Sequence, residues 1–388
     1  MKKKMVILGM ALLLAGCAKT PDSLLKDVTV NKATTEKTLT NSETEKMADF
    51  AVALLKKGNR KDNELVCPYS LANVLGMAAI GADGETQSDI EALIGDPQHM
   101  IKPATEVKNA NAIWFRDDLK PRKAFLSDCK TFYDAEAYMS DMKDSALSEI
   151  NAFVSAHTDK MIPEIIQSVP KDAQMILVNA TAFEADWETP YTGNDVLKET
   201  FTNAAGGEEE GDFLSKEEHL FIDGDACKGF IKPYRDRNQL FVALLPDADW
   251  DLESFIETLS GRTWMSLLGT AEEKSVFVSM PKFEVDKKFA ATKAIKGLGV
   301  KAPFDPQKAN FSGIAKNSDG LFISQIEHRC LLKVDEEGTK AGAASAVTID
   351  SAVKHEGEEI LLNKPFVYAV VDAETHVPIF IGALRSLY

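Results

Sequence analysis

Of the segments that read as strands, among them "MILVNATAF" at 175–183, "QLFVALLP" at 239–246 and "FVYAVVD" at 366–372, several would be apolar on both faces if extended. Side chains alternate between the two faces of a strand, so a run without a polar face has no side to leave in water. Such strands need cover above and below, which excludes a thin open sheet. The helices that could supply it are legible mainly in the first half. In "SETEKMADFAVALLKKG", Met47, Phe50, Ala51, Leu54 and Leu55 share one face at helical spacing. Ser42 and Glu45 have capping-box spacing, and two lysines and Gly58 mark the end. A second helix follows "CPYS", with Leu71, Val74, Leu75 and Ala78 on one face and Gly81 closing it. Further helices are expected at 145–156 and 287–298, and further strands at "AIWF", "SVFVSMP" and "LFISQIEHRCLLKV". Apolar segments are spread evenly with no linker between them. One large α+β domain is therefore expected, although length alone would allow two.

The N-terminus is of another kind. "MKKKMVILGMALLLAGC" begins with lysines and continues in an apolar run, Met5 to Leu14, too short to span a membrane. That is the pattern of an export signal. Its end, "LAGC", resembles the lipobox of bacterial lipoproteins. The resemblance implies lipidation of Cys17 and a membrane anchor on the periplasmic or cell-surface side. Residues 1–16 are read as the signal peptide, 17–41 as the lipidated cysteine with a polar, flexible tether, and 42–388 as the folded domain. The net charge of −16 argues against nucleic acid as a partner.

Reacting groups are scarce. The six histidines are scattered, with no H-E-x-x-H spacing, and there is no G-x-S-x-G, Walker A or G-x-G-x-x-G sequence. Cys67, Cys129, Cys227 and Cys330 are widely spaced without a C-x-x-C pair, so neither zinc nor a redox dithiol is signalled. The export route permits disulfides, but buried free thiols are the simpler reading. No metal, no cofactor and no enzymatic activity are expected.

One segment is short of bulk: "DEEGTKAGAASAVTID", Asp335 to Asp350, has after its acidic start one long side chain, Lys340, and otherwise Gly, Ala, Ser, Thr, Val and Ile up to Asp350. As an extended strand it would place Thr339, Ala341, Ala343, Ser345 and Val347 on one face, all small and uncharged. Lys340, Gly342, Ala344, Ala346 and Thr348 would take the other. The first face could be buried at little cost, with Lys340 left wet. Taken alone, the segment reads equally well as an alanine-rich helix or a linker.

This segment resembles the hinge of the serpins, a Glu-Glu-Gly-Thr-Glu pattern followed by small residues, with Lys340 at the place of the last acid. The likeness extends, in order, through "CPYSLANVLGMAAIGADGETQSDI", "INAFVSAHTDKMIPEII", "LVNATAFEADWETPY", "MPKFEVD", "KANFSGIA", "LFISQIEH" and "NKPFVYAVVDAETHVPIFIGAL". It covers about residues 43 to 388. It implies a single domain with three β-sheets, about nine helices and an exposed reactive-centre loop at about 338–358.

The same resemblance implies a function and a set of residues. The hinge is Glu336, Glu337, Gly338, Thr339, Lys340, Ala341, Gly342, Ala343, Ala344 and Ser345. Counting from Gly338 puts the reactive bond at Ala352 and Val353, suiting an elastase-like protease, while counting back from "NKPF" gives Lys354, suiting a trypsin-like one. Ser70, Asn179 and His328 match the shutter under the main sheet, and Trp187, Lys282 and Glu336 match the breach where insertion begins. Cys67 stands where the family usually has Ser. The implied activity is suicide inhibition of a serine, or alternatively a cysteine, protease by a monomer. A non-inhibitory, ligand- or partner-binding serpin is the alternative.

Overall fold

The computed structural model describes residues 22–26, 28, 39–98, 107–339 and 357–388. Among the described residues lie eight α-helices: α1 (Asn41–Lys57), α2 (Pro68–Ile80), α3 (Glu85–Ile94), α4 (Lys123–Tyr133), α5 (Asp144–His157), α6 (Leu252–Thr258), α7 (Gly261–Gly269) and α8 (Ala291–Gly297). The first strands are β1 (Glu64–Val66), β2 (Val107–Arg116), β3 (Glu136–Ser140), β4 (Met175–Phe183) and β5 (Ala185–Asp186). The middle of the chain forms β6 (Val196–Thr202), β7 (Glu208–Asp223), β8 (Cys227–Pro233), β9 (Gln239–Pro246), β10 (Glu272–Pro281) and β11 (Phe283–Lys288). The last are β12 (Arg329–Val334), β13 (Gly338–Thr339), β14 (Glu359–Leu361), β15 (Phe366–Asp372) and β16 (Pro378–Leu384).

The strands make three sheets. The largest runs β1-β16-β15-β9-β8-β7-β10-β14, with β6 also paired to β7. A second is ordered β11-β12-β13-β5 and a third β3-β2-β4. Only Glu184 separates β4 from β5, so the second and third sheets meet along one stretch of chain.

Both faces of the large sheet are covered, as the two-faced apolar strands require. In β15, Val367, Ala369 and Val371 enter the core packed by the helices, while Phe366, Tyr368 and Val370 enter a second core with Phe283 and Leu332. In β9, Val242 and Leu244 join the first core and Phe241 and Ala243 the second. A third core lies between α5 and strands β2 and β4, around Trp114, Phe153 and Val178.

Three local expectations differ from what forms. The capping box of α1 uses Thr40 and Glu43, not Ser42 and Glu45: the backbone is extended at Thr40, so Ser42 already lies in the first turn. The Thr40 N–H donates to the Glu43 carboxylate at 2.7 Å, and Thr40 Oγ1 accepts from the Glu43 N–H at 3.3 Å. The helix expected at 287–298 starts only at Ala291, because Lys287 and Lys288 continue the β11 ladder against Cys330 and Arg329. Of "LFISQIEHRCLLKV", only Arg329–Val334 is strand, although Leu321, Ile323 and Ile326 are buried.

The segment read as a flexible tether is docked in part. The Leu24 N–H donates to the Ala137 carbonyl on the edge strand β3 at 2.7 Å, and Ser23 bonds the Glu136 carboxylate. Leu25 is buried within the main core and Val28 packs against it. Leu24, Leu25 and Val28 in an otherwise polar stretch are too weak a periodic signal to have marked this. Removing a buried leucine costs its transfer energy plus that of the cavity. Leu25→Ala is expected to lower native-state stability by about 2 kcal/mol in urea unfolding; an unchanged midpoint would contradict this docking.

Candidate functional site

The chain reverses immediately after β12. The Asp335 N–H donates to the Gly338 carbonyl at 3.0 Å, while Asp335 Oδ1 accepts from the N–H groups of Glu337 and Gly338 at 3.0 and 3.2 Å. This turn is the local side-chain-to-backbone bonding that Asp favours. It lays β13 antiparallel beside β12, Val334 opposite Thr339. The other edge of β13 pairs antiparallel with β5, Gly338 opposite Asp186 and Thr339 opposite Ala185. Only glycine fits at 338: a Cβ there would lie 2.0 Å from the Ala185 carbonyl oxygen. Thr339 is fully buried.

Three donors hold the three carbonyls of the turn. Trp187 Nε1–H donates to the Asp335 carbonyl, the Tyr191 N–H to that of Glu336 and the Trp187 N–H to that of Glu337, each at 2.9 Å. The Trp187 ring stacks on Tyr234 with centroids 4.6 Å apart, and the Tyr234 and Thr339 hydroxyls are 2.7 Å apart. Lys282 Nζ lies 2.6 Å from the Glu336 carboxylate with both side chains mostly buried. Below them Lys232 pairs with Glu218 at 2.6 Å, and its ammonium sits 4.4 Å from the Tyr191 ring centroid. Burial pulls the Lys232 pKa down against the pull of Glu218. Trp187, Lys282 and Glu336, singled out in the sequence, thus meet around one turn. Asp335, Tyr191 and Tyr234 were not singled out, and only the two-residue spacing Asp335–Glu337, typical of an Asp-led turn, could have marked one of them.

The second group sits deeper, between β12, α2 and β4. His328 is fully buried, and burial pushes its pKa down to about 3, so the ring is neutral. The Cys67 N–H donates to Nε2 at 3.1 Å and the Cys330 thiol lies 2.9 Å from the same nitrogen. Two donors at Nε2 leave the ring proton on Nδ1, 3.4 Å from Ser70 Oγ. The Ser70 hydroxyl then donates to Asn179 Oδ1. Asn179 Nδ2 donates to Asn109 Oδ1 at 2.8 Å and to Asn111, whose own amide reaches the Tyr133 carbonyl at 2.7 Å. Cys67 itself caps α2, its sulfur accepting from the Ser70 N–H at 3.4 Å, and burial lifts its thiol to about 12.

Ser70, Asn179 and His328 therefore lie together. Asn109, Asn111 and Cys330 join them without any sequence signal, being unremarkable polar residues on separate elements. All four described cysteines are free and buried. Among the described residues, no group of three or more His, Cys, Asp or Glu is arranged to hold a metal.

Between the two groups, β4 and β12 run side by side but share no ladder among the described residues. β4 is paired to β2 and β12 to β11, each on its outer edge. The remaining hinge residues, Lys340, Ala341, Gly342, Ala343, Ala344 and Ser345, lie outside the described residues, as do Cys17 and the bond residues Ala352, Val353 and Lys354.

Comparison with known proteins gives a consistent picture. A family model described as Serpin (serine protease inhibitor) matches residues 45–387. Serine proteinase inhibitor A3K of Cavia porcellus is 26% identical over 402 residues, covering 97% of this chain and 97% of its own length. The native state of tengpin, a thermophilic serpin, superimposes with a TM-score of 0.87 at 33% identity, over 95% of this chain and 100% of tengpin. The latent state of tengpin gives 0.80 at 31% identity, over 91% of this chain and 100% of tengpin.

The His328 ring carries a pH signature. Its folded pKa lies below the ordinary value of 6.5, so the unfolded chain binds the extra proton in acid. Its contribution is fully present above pH 6.5 and is lost as pH falls towards 3, by about 1.4 kcal/mol per pH unit. In urea unfolding between pH 6 and 4.5, His328→Asn is expected to flatten the pH slope by that amount; equal slopes would mean that the ring is protonated in the folded state.

Proposed function

The chain belongs to the serpin family, whose members are generally protease inhibitors, and on that premise we propose that it traps a serine protease by inserting its loop as a new strand. The observation that carries this reading is β13. Gly338 and Thr339 already occupy the first two places of a strand between β12 and β5, antiparallel to both. Beyond them, among the described residues, β4 and β12 each present an unladdered edge towards the other. The better match to the native than to the latent state of tengpin supports a fold that still has this step to make.

The proposed sequence starts with attack on the loop after Ala352, or after Lys354 if the second count holds, to give an acyl-enzyme. The loop, freed at that end, continues from Thr339 into the gap. Fourteen residues of strand span about 45 Å. With ladder bonds worth about 1 kcal/mol each net, insertion releases on the order of 10 kcal/mol. Loss of one oxyanion-hole donor costs a protease about 3–4 kcal/mol of barrier. Insertion therefore releases more than enough to distort the tethered enzyme and stall deacylation. Lys282–Glu336 and the carbonyl contacts of Trp187 and Tyr191 act as the breach, and His328, Ser70 and Asn179 as the shutter that keeps the lower gap in register. Lipidation at Cys17 would hold this monomer on the outer side of a membrane.

The test uses residues 18–388, incubated separately with an elastase and with trypsin. A complex that survives denaturing gels is expected, and the mass of the released C-terminal peptide chooses among Ala352, Val353 and Lys354. Clean cleavage without complex would favour the non-inhibitory alternative. Thr339 is buried against Tyr234, so an arginine there would force charge and bulk into the first inserted position. Thr339→Arg is expected to be cut at the same bond while the complex yield collapses; undiminished complex would refute insertion.

A further inference from the structure

Far from the hinge in sequence, the β7–β8 turn and the helices α6 and α7 enclose a cavity of about 430 Å³. Cys227, Phe255, Leu259 and Leu267 form an apolar part of its wall, Thr258, Thr263, Ser266 and Thr270 add hydroxyls, and Trp250 stands in its lining. Trp250 is 37% exposed, whereas Trp114, Trp187 and Trp264 are fully buried. No Lys, Arg or His lines the cavity, but Asp223 and Asp225 do. The Asp247 N–H donates to the Ala226 carbonyl at 3.0 Å, which holds Asp247 beside the same turn, while Asp251 caps α6. The nearest cation in sequence, Lys228, is paired with Glu358 at 2.9 Å.

These features select a charge and a shape. Carboxylates around an apolar hollow focus a negative potential into it. An indole face attracts a cation, and more strongly than the other aromatic rings. Aliphatic and aromatic walls take an apolar body, and the volume falls within the range of small-molecule pockets. An anion would meet the Asp223 and Asp225 carboxylates here. We propose that this cavity binds an amphipathic organic cation, an ammonium or guanidinium on an apolar arm, with the charge between Trp250 and the Asp223–Asp225 rim and the arm against Phe255, Leu259 and Leu267. A free small amine and a basic side chain of a protein partner share this chemistry. The site is independent of loop insertion and stands or falls apart from it.

Because the other three tryptophans are buried, Trp250 reports directly. The experiment titrates the protein with 2-phenylethylammonium, with 3-phenylpropionate as the anion of similar shape, and with a short arginine-rich peptide, following tryptophan emission. A saturable change with the amine, absent with the acid, is expected. The double variant Asp223→Asn/Asp225→Asn should weaken binding about fivefold or more. Trp250→Phe should abolish the optical signal while calorimetry still detects weakened binding. Saturation by the free amine identifies a small-molecule site, and a response to the peptide alone identifies a partner's side chain. No saturable response to either cation, or an equal response to 3-phenylpropionate, overturns the proposal.

Discussion

Backbone N–H and C=O groups on a strand edge need partners, and β4 and β12 turn such edges towards each other. Among the described residues β4 is laddered to β2, and β12 to β11 and at its end to β13, which takes the top of the space between them. β13 runs antiparallel to both β12 and β5, so the flanking strands are parallel to one another. An antiparallel strand placed between two parallel ones gains a ladder on both of its edges, of the slightly more stable kind.

The two polar groups act at opposite ends of that gap by different means. At the top, three carbonyls in succession are held by Trp187 and Tyr191, and Gly338 passes so close to Ala185 that no side chain is tolerated. These contacts set where a strand begins. Lower down, the neutral His328 ring joins β12 to Ser70 on α2 and, through it, to Asn179 on β4. Buried polar groups that are satisfied only in one arrangement resist sliding, because a partly satisfied network costs more than an apolar one. The link from β12 to β4 through a helix N-terminus therefore fixes spacing where no ladder does so.

Much of this was legible from residue pattern. Two-faced apolar strands implied double cover, and β9 and β15 are covered on both faces. Alternation put Thr339 on the small-residue face, and that residue is buried. Other parts were not legible. Thr40 and Ser42 are equally good caps as letters, and only the backbone angle at Thr40 chose between them. "LFISQIEH" reads as strand from its composition, yet it makes no ladder, since a strand also needs a neighbour with a free and correctly spaced edge. Leu25 looked like part of a tether because Leu24, Leu25 and Val28 are too few apolar residues to set a period. Asn109, Asn111 and Cys330 carry no motif and become members of the His328 group only through contact.

The amino-acid sequence by itself determined which segments must be buried on both faces, where the chain is too small to clash and where charge is kept out of a strand face. These are local properties of side-chain size, polarity and alternation. Tertiary structure alone decided which strand edges stay unladdered among the described residues, which residues meet at His328 and at Glu336, and that an exposed tryptophan lines one cavity with Asp223 and Asp225. Those outcomes depend on partners brought together from distant parts of the chain, and a buried hydrogen bond or an ion pair is defined by its partner as much as by itself.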